Sequence, residues 1–260
     1  MTAASLFVPH EQGYLPTEFA RSPWSQELLH GGPVAALLAH SIEEVVGDPA
    51  YRLGRLTTDL FRPVPFAPLR VETELARDGR LVKAVRASLF AGEVEVTRAH
   101  ASLLATSEPA DPGPDIDSPR IPFPEEAQAQ PHQDQPTAFA NTVEWRDPPG
   151  ATPHFTRWLR VPLPILPGVE LTPAVRAAAV SDFVSPLSNM RLDGAGAPFI
   201  NADVTLYLHR PPLGEWLALA VTARDCNDGI AVSAAALHDQ TGPVGRCLAV
   251  SIPLPSRATP

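Results

Sequence analysis

Leu60-Phe61-Arg62-Pro63 and Leu208-His209-Arg210-Pro211 share the pattern Leu-x-Arg-Pro, 148 positions apart. Reading onward from both strings, the likeness continues. Ala76-Arg77-Asp78 answers Ala223-Arg224-Asp225 at an offset of 147, and Ala87-Ser88-Leu89 answers Ala235-Ala236-Leu237 at 148. Val94 answers Val244 at 150. Any one match is chance-level, but four landmarks in one order at a nearly constant offset are the mark of duplication. The chain therefore reads as one structural unit written twice.

The periodicity says what that unit is. Leu69, Val71, Thr73 and Leu75 alternate with Arg70, Glu72, Glu74 and Ala76, which predicts a half-buried strand. Leu81, Val85, Ala87 and Leu89 predict the next strand, with Asp78-Gly79 as the hairpin turn, and Asn227-Asp228-Gly229 is its counterpart. Val94 and Val96 start a third strand after Gly92. A helix precedes each set. Gly31-Gly32-Pro33 opens the first, and Val34, Leu37, Leu38, Ile42 and Val45 recur at helical spacing. Thr172 caps the second, Pro173 occupies its first turn, the run extends from Ala174 to Val184, and Pro186 breaks it. A helix followed by several antiparallel strands, twice over, is α+β. Between the copies, prolines 109, 112, 114, 119, 122, 124, 131 and 136 predict an extended linker that holds neither helix nor ladder. The expected division is residues 1–106, a linker at 107–140, and residues 141–260.

Composition removes several function classes. The formal charge of −9 and the scattered positive charges argue against nucleic acid, which needs clustered Lys and Arg, and against an anionic membrane surface. No run of about 18 apolar residues suggests a membrane span, and no secretory leader is expected at the N-terminus. Two cysteines, Cys226 and Cys247, without metal-like spacing fit a reduced, cytoplasmic setting. The eight histidines show no metal-ligand pairing, and neither Gly-x-Ser-x-Gly nor a phosphate loop is present, so no metal or cofactor is expected. The four tryptophans read as packing residues.

Two places carry chemistry. At His30-Gly31-Gly32 a helix begins with free N–H groups and the positive end of its dipole, suited to a developing oxyanion, although Gly-Gly-Pro also serves simply as a tight entry to a core helix. Asp182 is, with Arg176, the only charge between Pro173 and Asn189, and it shares a face with Val175, Ala178 and Ala179. A carboxylate in so apolar a helix is expected to be buried, with a raised pKa that suits a general base; the bland alternative is a structural cap or an arginine pair. Asn201, Asp203, Thr205, Tyr207 and His209 alternate along one strand, which reads as a solvated face whose first members can border a cleft.

The strings His30-Gly-Gly-Pro-Val-Ala-Ala-Leu-Leu38, Ala178-Ala-Val-Ser-Asp182 and Phe199-Ile-Asn-Ala-Asp-Val-Thr-Leu-Tyr-Leu-His-Arg-Pro-Pro-Leu-Gly-Glu-Trp216 resemble acyl-CoA thioesterase II-type proteins over nearly the whole chain. The resemblance implies a double hotdog, two helix-plus-antiparallel-sheet repeats, and hydrolysis of acyl-CoA or an acyl-carrier thioester. It implies a site of three polar side chains holding water: a helix Asp at Asp182, a strand Ser, Thr or Asn at Asn201, and a strand Gln. The third position falls at or near Ala249, with Ser251 and Cys247 as the nearest polar alternatives. His30, Gly31 and Gly32 would then bind the oxyanion or substrate. Alanine at the third position leaves open a second reading, a catalytically silent acyl-binding hotdog. A hotdog dehydratase or hydratase ranks last, since no helix motif for it is evident. A homodimer is compatible with the fold, because a hotdog sheet can extend edge to edge.

Overall fold

The structure is a computed structural model that describes residues 4–108, 120–124, 137–150, 155–189 and 199–254. A small hairpin, β1 (Phe7–His10) and β2 (Gly13–Pro16), leads through a 3-10 turn at Glu18–Ala20 into helix α1 (Gly31–Val46). Strands β3 (Tyr51–Asp59), β4 (Leu69–Asp78), β5 (Val82–Ala91) and β6 (Val94–Ala105) complete the first copy. A one-turn helix α2 (Phe139–Thr142) and the short strands β7 (Glu144–Arg146) and β8 (Thr156–Arg160) lead to α3 (Pro173–Ser181) and α4 (Val184–Asn189). The second set of strands is β9 (Phe199–Leu208), β10 (Trp216–Asn227), β11 (Ile230–Asp239) and β12 (Gly242–Pro253).

All twelve strands form one antiparallel sheet in the order β1-β2-β4-β5-β6-β3-β9-β12-β11-β10-β8-β7. The run β4-β5-β6-β3 mirrors β10-β11-β12-β9, so the two copies meet where β3 pairs with β9. At that seam Thr57 lies opposite Thr205, Leu56 opposite Leu206, and Thr58 opposite Val204. Helix α1 packs against α3, and both lie on one face of the sheet. Val34, Leu37, Leu38 and Ile42 of α1 and Val175, Ala178 and Val180 of α3 form the core with inward strand residues such as Leu56, Val85, Val204 and Leu206. This is the α+β double hotdog.

Four local features depart from the periodicity. First, β4 is a strand, but beyond Leu69 it is largely open to solvent; it touches β2 only at the Tyr14–Leu69 pair and lies far from the seam. Second, the two hairpins differ. Asp228 (φ 49°) and Gly229 (φ 79°) are both left-handed, which suits a two-residue turn, whereas Gly79 has no positive φ and its turn runs to Leu81. Third, the second helix ends at Ser181, before Pro186. Proline has no N–H for the carbonyl four residues back, which is that of Asp182, and its ring crowds that carbonyl. The helix therefore breaks at Asp182, and Pro186 sits harmlessly in the first turn of α4. Fourth, Trp24 is 64 % exposed and is not a packing residue, while Trp158 is fully buried.

Of the linker prolines, 109, 112, 114, 119, 131 and 136 lie outside the described residues. Residues 120–124 dock on the second copy. The Pro122 carbonyl accepts a hydrogen bond from Trp158 Nε1 (2.9 Å), and the Phe123 ring meets Trp158 and Trp216 edge-on. Among the described residues, no helix is long and apolar enough to cross a membrane.

Candidate active site

The break imposed by Pro186 puts Asp182 at the C-terminal end of α3, where the N-terminus of α1 meets it. His30 is the N-cap of α1, with Gly31 and Gly32 as the first helical residues. Asp182 is buried, and its Oδ2 lies 2.9 Å from His30 Nδ1. Its Oδ1 accepts a hydrogen bond from Asn201 Nδ2 at 2.7 Å. The backbone N–H of Gly32 donates to His30 Nδ1 at 3.0 Å, with the carboxyl also close enough to feel it. A carboxylate at a helix N-terminus gains further from the dipole. The residues singled out as His30, Gly31, Gly32, Asp182 and Asn201 thus converge on one place, drawn from both copies of the repeat.

The glycines have a steric reason. A Cβ on Gly31 would stand 2.7 Å from both Asp182 carboxylate oxygens, and one on Gly32 would stand 2.6 Å from the Ala179 carbonyl. Both distances are shorter than real Cβ contacts. The pair is needed to bring the helix start against Asp182, which is the tight entry expected of Gly-Gly-Pro.

Burial pushes the Asp182 carboxyl up, as anticipated from sequence. The His30 imidazole, the Asn201 amide and the Gly32 N–H outweigh that effect and hold it below the usual carboxylate range. The expected rise is therefore replaced by a fall, because the apolar helix hides three donors contributed by other elements.

Asn201 owes its orientation to a bulge. Along β9, Val250 pairs with Asp203 but Ser251 pairs with Asn201, so Ala202 is skipped. Simple alternation puts Asn201 on the same face as Asp203, Thr205 and Tyr207. The skipped residue turns it to the opposite, helix-covered face. Asn201 Oδ1 is buried and has no hydrogen-bond partner among the described residues. A buried unpaired acceptor is costly, and one beside a carboxylate suits a bound polar hydrogen.

The same register identifies the third strand position. Ala249 is inward but lies opposite Val204, whereas Ser251 lies directly opposite Asn201 and is fully buried. The polar group flanking Asn201 on β12 is therefore Ser251. Its Oγ is 3.4 Å from Asn189 Nδ2, which also donates to Ser185 Oγ at 2.9 Å. Cys247, two positions beyond Ala249, is buried, and burial pushes its thiol up to about 12, which leaves it inert.

Two aromatic rings were not legible as part of this place. Phe139 of α2 and Phe183 stand 5.1 and 5.2 Å from the His30 ring, centroid to centroid, and both are buried. Phe183 follows Asp182 directly in the chain. Phe139 lies at the end of the expected linker and has no local signal that ties it to His30. No group of three or more His, Cys, Asp or Glu able to hold a metal ion occurs among the described residues. A cavity of about 610 Å³ opens elsewhere, lined by Arg52, Leu53, Gly54, Leu208 and Arg210, and none of the converging residues borders it.

Comparisons with known proteins bear on this geometry. Residues 20–104 match the family described as acyl-CoA thioesterase N-terminal domain, and residues 114–251 match acyl-CoA thioesterase C-terminal domain. No curated protein matches the chain by sequence. Among solved structures, the acyl-CoA thioesterase II TesB2 from Mycobacterium marinum superposes with a TM-score of 0.67 at 18 % identity, covering 89 % of this chain and 92 % of its own. The tesB protein MAP1729c from Mycobacterium avium subs paratuberculosis gives 0.69 at 15 % identity, with 88 % and 89 % covered. A conserved hot dog fold protein of unknown function from Alicyclobacillus acidocaldarius also gives 0.69 at 15 %, with 93 % and 92 % covered. At these identities the structural likeness establishes the fold.

Proposed function

The chain belongs to the acyl-CoA thioesterase family, and on that footing we propose that it hydrolyses an acyl thioester, with acyl-CoA as substrate, by attack of water assisted by Asp182. The observation that carries the reading is the Asp182 carboxylate, held ionised at the start of α1 by donors from two segments, the start of α1 and β9. An ionised carboxylate next to an unpaired amide oxygen is suited to hold a water by its protons and raise its nucleophilicity. Asn201 positions that water, with Ser251 as the neighbouring hydroxyl. The helix start at Gly31 and Gly32 supplies the positive potential that a thioester oxygen needs as it becomes an oxyanion.

With this function goes the division into an N-terminal hotdog at 1–106, a linker at 107–140 and a C-terminal hotdog at 141–260. Each hotdog supplies one side of the site: the first gives the helix start, the second gives Asp182, Asn201 and Ser251. The setting is cytoplasmic, with Cys226 and Cys247 both as free thiols.

A free-thiol assay over a panel of acyl-CoA chain lengths tests the reading. Turnover on some member supports it. Binding by calorimetry without thiol release from any member replaces it with a silent acyl-binding protein.

A further inference from the structure

The outer face of the sheet, the side away from α1 and α3, differs between the two copies of the repeat. In the first copy it is polar. Arg86 of β5 pairs with His100 of β6 and forms an ion pair with Glu74 of β4, and Ala84 pairs with Ser102. The same ladder positions in the second copy are apolar. Ala234 pairs with Leu248 and with Ala223, and Val232 pairs with Val250. Where one copy has an ion pair, the other has two alanines. These side chains point outward, since Leu248 and Val250 alternate with the buried Cys247, Ala249 and Ser251.

The apolar area is contiguous. Ile200 pairs with Ile252 at one end of it, and the ladder of β11 and β12 sets Ile230 beside Ile252. Ile200, Ile230, Val232, Leu248 and Ile252 are 36–56 % exposed. A solvated sheet face is polar outward, and the first copy obeys that rule on the same fold. The second copy breaks it in one place, which is the mark of a covered surface.

Its size and shape say what covers it. Across β10, β11, β12 and β9 the strand and residue spacings give about 20 Å by 25 Å, roughly 500 Å² in projection. Side-chain relief brings this towards the ~800 Å² per partner of a standard interface. A depression of about 220 Å³ opens among Thr205, Tyr207, Val232 and Leu248, beside the isoleucine row. It is smaller than ligand pockets, which run from about 300 Å³ upward. A face that carries both a hollow and exposed side chains next to it suits a two-fold stack, in which each copy fills the other's hollow. Asp203 and Asp225 flank the patch against Arg246, and the net charge is −9, so an anionic lipid surface is not attracted. Edge-to-edge extension has little to work with. Strand β7 is three residues long, and the N–H groups of Leu6 and Phe7 at β1 already donate to the carbonyls of Pro164 and Ile165.

We propose that the outer sheet face of the C-terminal copy binds the same face of a second molecule of this chain, giving a two-fold dimer stacked sheet to sheet. The proposal is independent of the thioester chemistry, since Asp182 and Asn201 lie on the helix-covered side.

Light scattering of the purified full chain at micromolar concentration tests it. The wild type is expected at about twice 27.8 kDa. Ala234→Arg combined with Leu248→His installs the first copy's own residue pair, and is expected to halve that mass with an unchanged circular dichroism spectrum. Val232→Lys, a single change at an exposed position, is expected to do the same. Arg86→Ala with His100→Leu, the converse change on the first copy, is expected to leave the dimer intact. A wild-type mass of 27.8 kDa overturns the proposal, and so does a dimer that survives both disrupting variants. A monomeric wild type that floats with phosphatidylcholine vesicles overturns it in favour of a lipid surface.

Discussion

Thr57 Oγ1 and Thr205 Oγ1 are hydrogen-bonded at 3.1 Å across the seam between the two copies, 148 residues apart in the chain. That separation equals the offset of the Leu-x-Arg-Pro strings, so the two threonines are the same position in each repeat. A residue that pairs with its own counterpart marks a pseudo-two-fold axis. The bulges obey it: Gly54 is skipped in β3 as Ala202 is in β9, again 148 apart. The same operation carries Asn201 to Leu53 and Ser251 to Leu103, and those two leucines are themselves paired. A carboxylate also meets the start of α3, where the N-cap Thr172 donates from Oγ1 to Glu43 Oε2 at 2.6 Å, although Glu43 and Asp182 lie 139 positions apart and are not counterparts in the repeat. The two strand pairs thus match in register, but only the one in the second copy is polar.

Glu43→Gln is expected to leave thioester turnover unchanged, since Leu53 and Leu103 cannot hold water. It also has a stability signature. Burial raises the Glu43 pKa, against the Thr172 hydrogen bond and His40. A raised folded-state pKa contributes stability that is present below the unfolded value, about 4.3, and lost as pH rises through the folded one. Glutamine keeps the neutral form at every pH. Melting curves should show the variant gaining about 1–3 °C over wild type at pH 7 and nothing near pH 4. A ten-fold loss of turnover instead would place chemistry at this corner as well.

Gly31→Ala should act on the site rather than on folding. Its Cβ would collide with the Asp182 carboxylate, which must swing away from His30 and Asn201. A loss of at least about 10²-fold in kcat is expected, by comparison with displacing a single catalytic donor. Circular dichroism should remain that of the wild type. Full activity would show that the carboxylate position is not critical.

Asp239→Ala should be costly far from the chemistry. The carboxylate is buried and accepts from Arg210 through both guanidinium nitrogens (2.5 and 2.9 Å), from Thr241, and from the backbone of Leu213 and Gly242. Burial works against it, but those donors hold its pKa well below the usual range. A depressed pKa gives stability that is present above the unfolded value, about 3.9, and lost as pH falls through the folded one. Denaturant titration should find a loss of about 3–5 kcal/mol at neutral pH. The variant should also lose less stability than wild type when the pH is lowered below 4. A neutral substitution would mean that the Arg-Pro corner is not held by this pair.

The fold was readable because duplication is a statement about order and offset, and those survive when individual residues do not. The helix starts were readable because Gly-Gly-Pro and Thr-Pro are local capping chemistry. Asp182 stood out as a lone carboxylate in an apolar run. What surrounded it was hidden for a physical reason: its partners come from the start of α1 and from β9, brought together only by helix packing. The direction of its pKa followed those partners, and was opposite to the expectation from burial alone. Asn201 and Ser251 were ambiguous because one skipped residue, Ala202, inverts the face of a strand, and period-two reasoning has no signal for a bulge.

The most direct test is release of free thiol from acyl-CoA by purified Asp182→Asn protein beside wild type, across a chain-length panel and with matched melting curves. The account predicts measurable wild-type turnover on some member, a loss of about 10³-fold or more in kcat for the variant, and little change in melting temperature. Equal rates for the two proteins would contradict it.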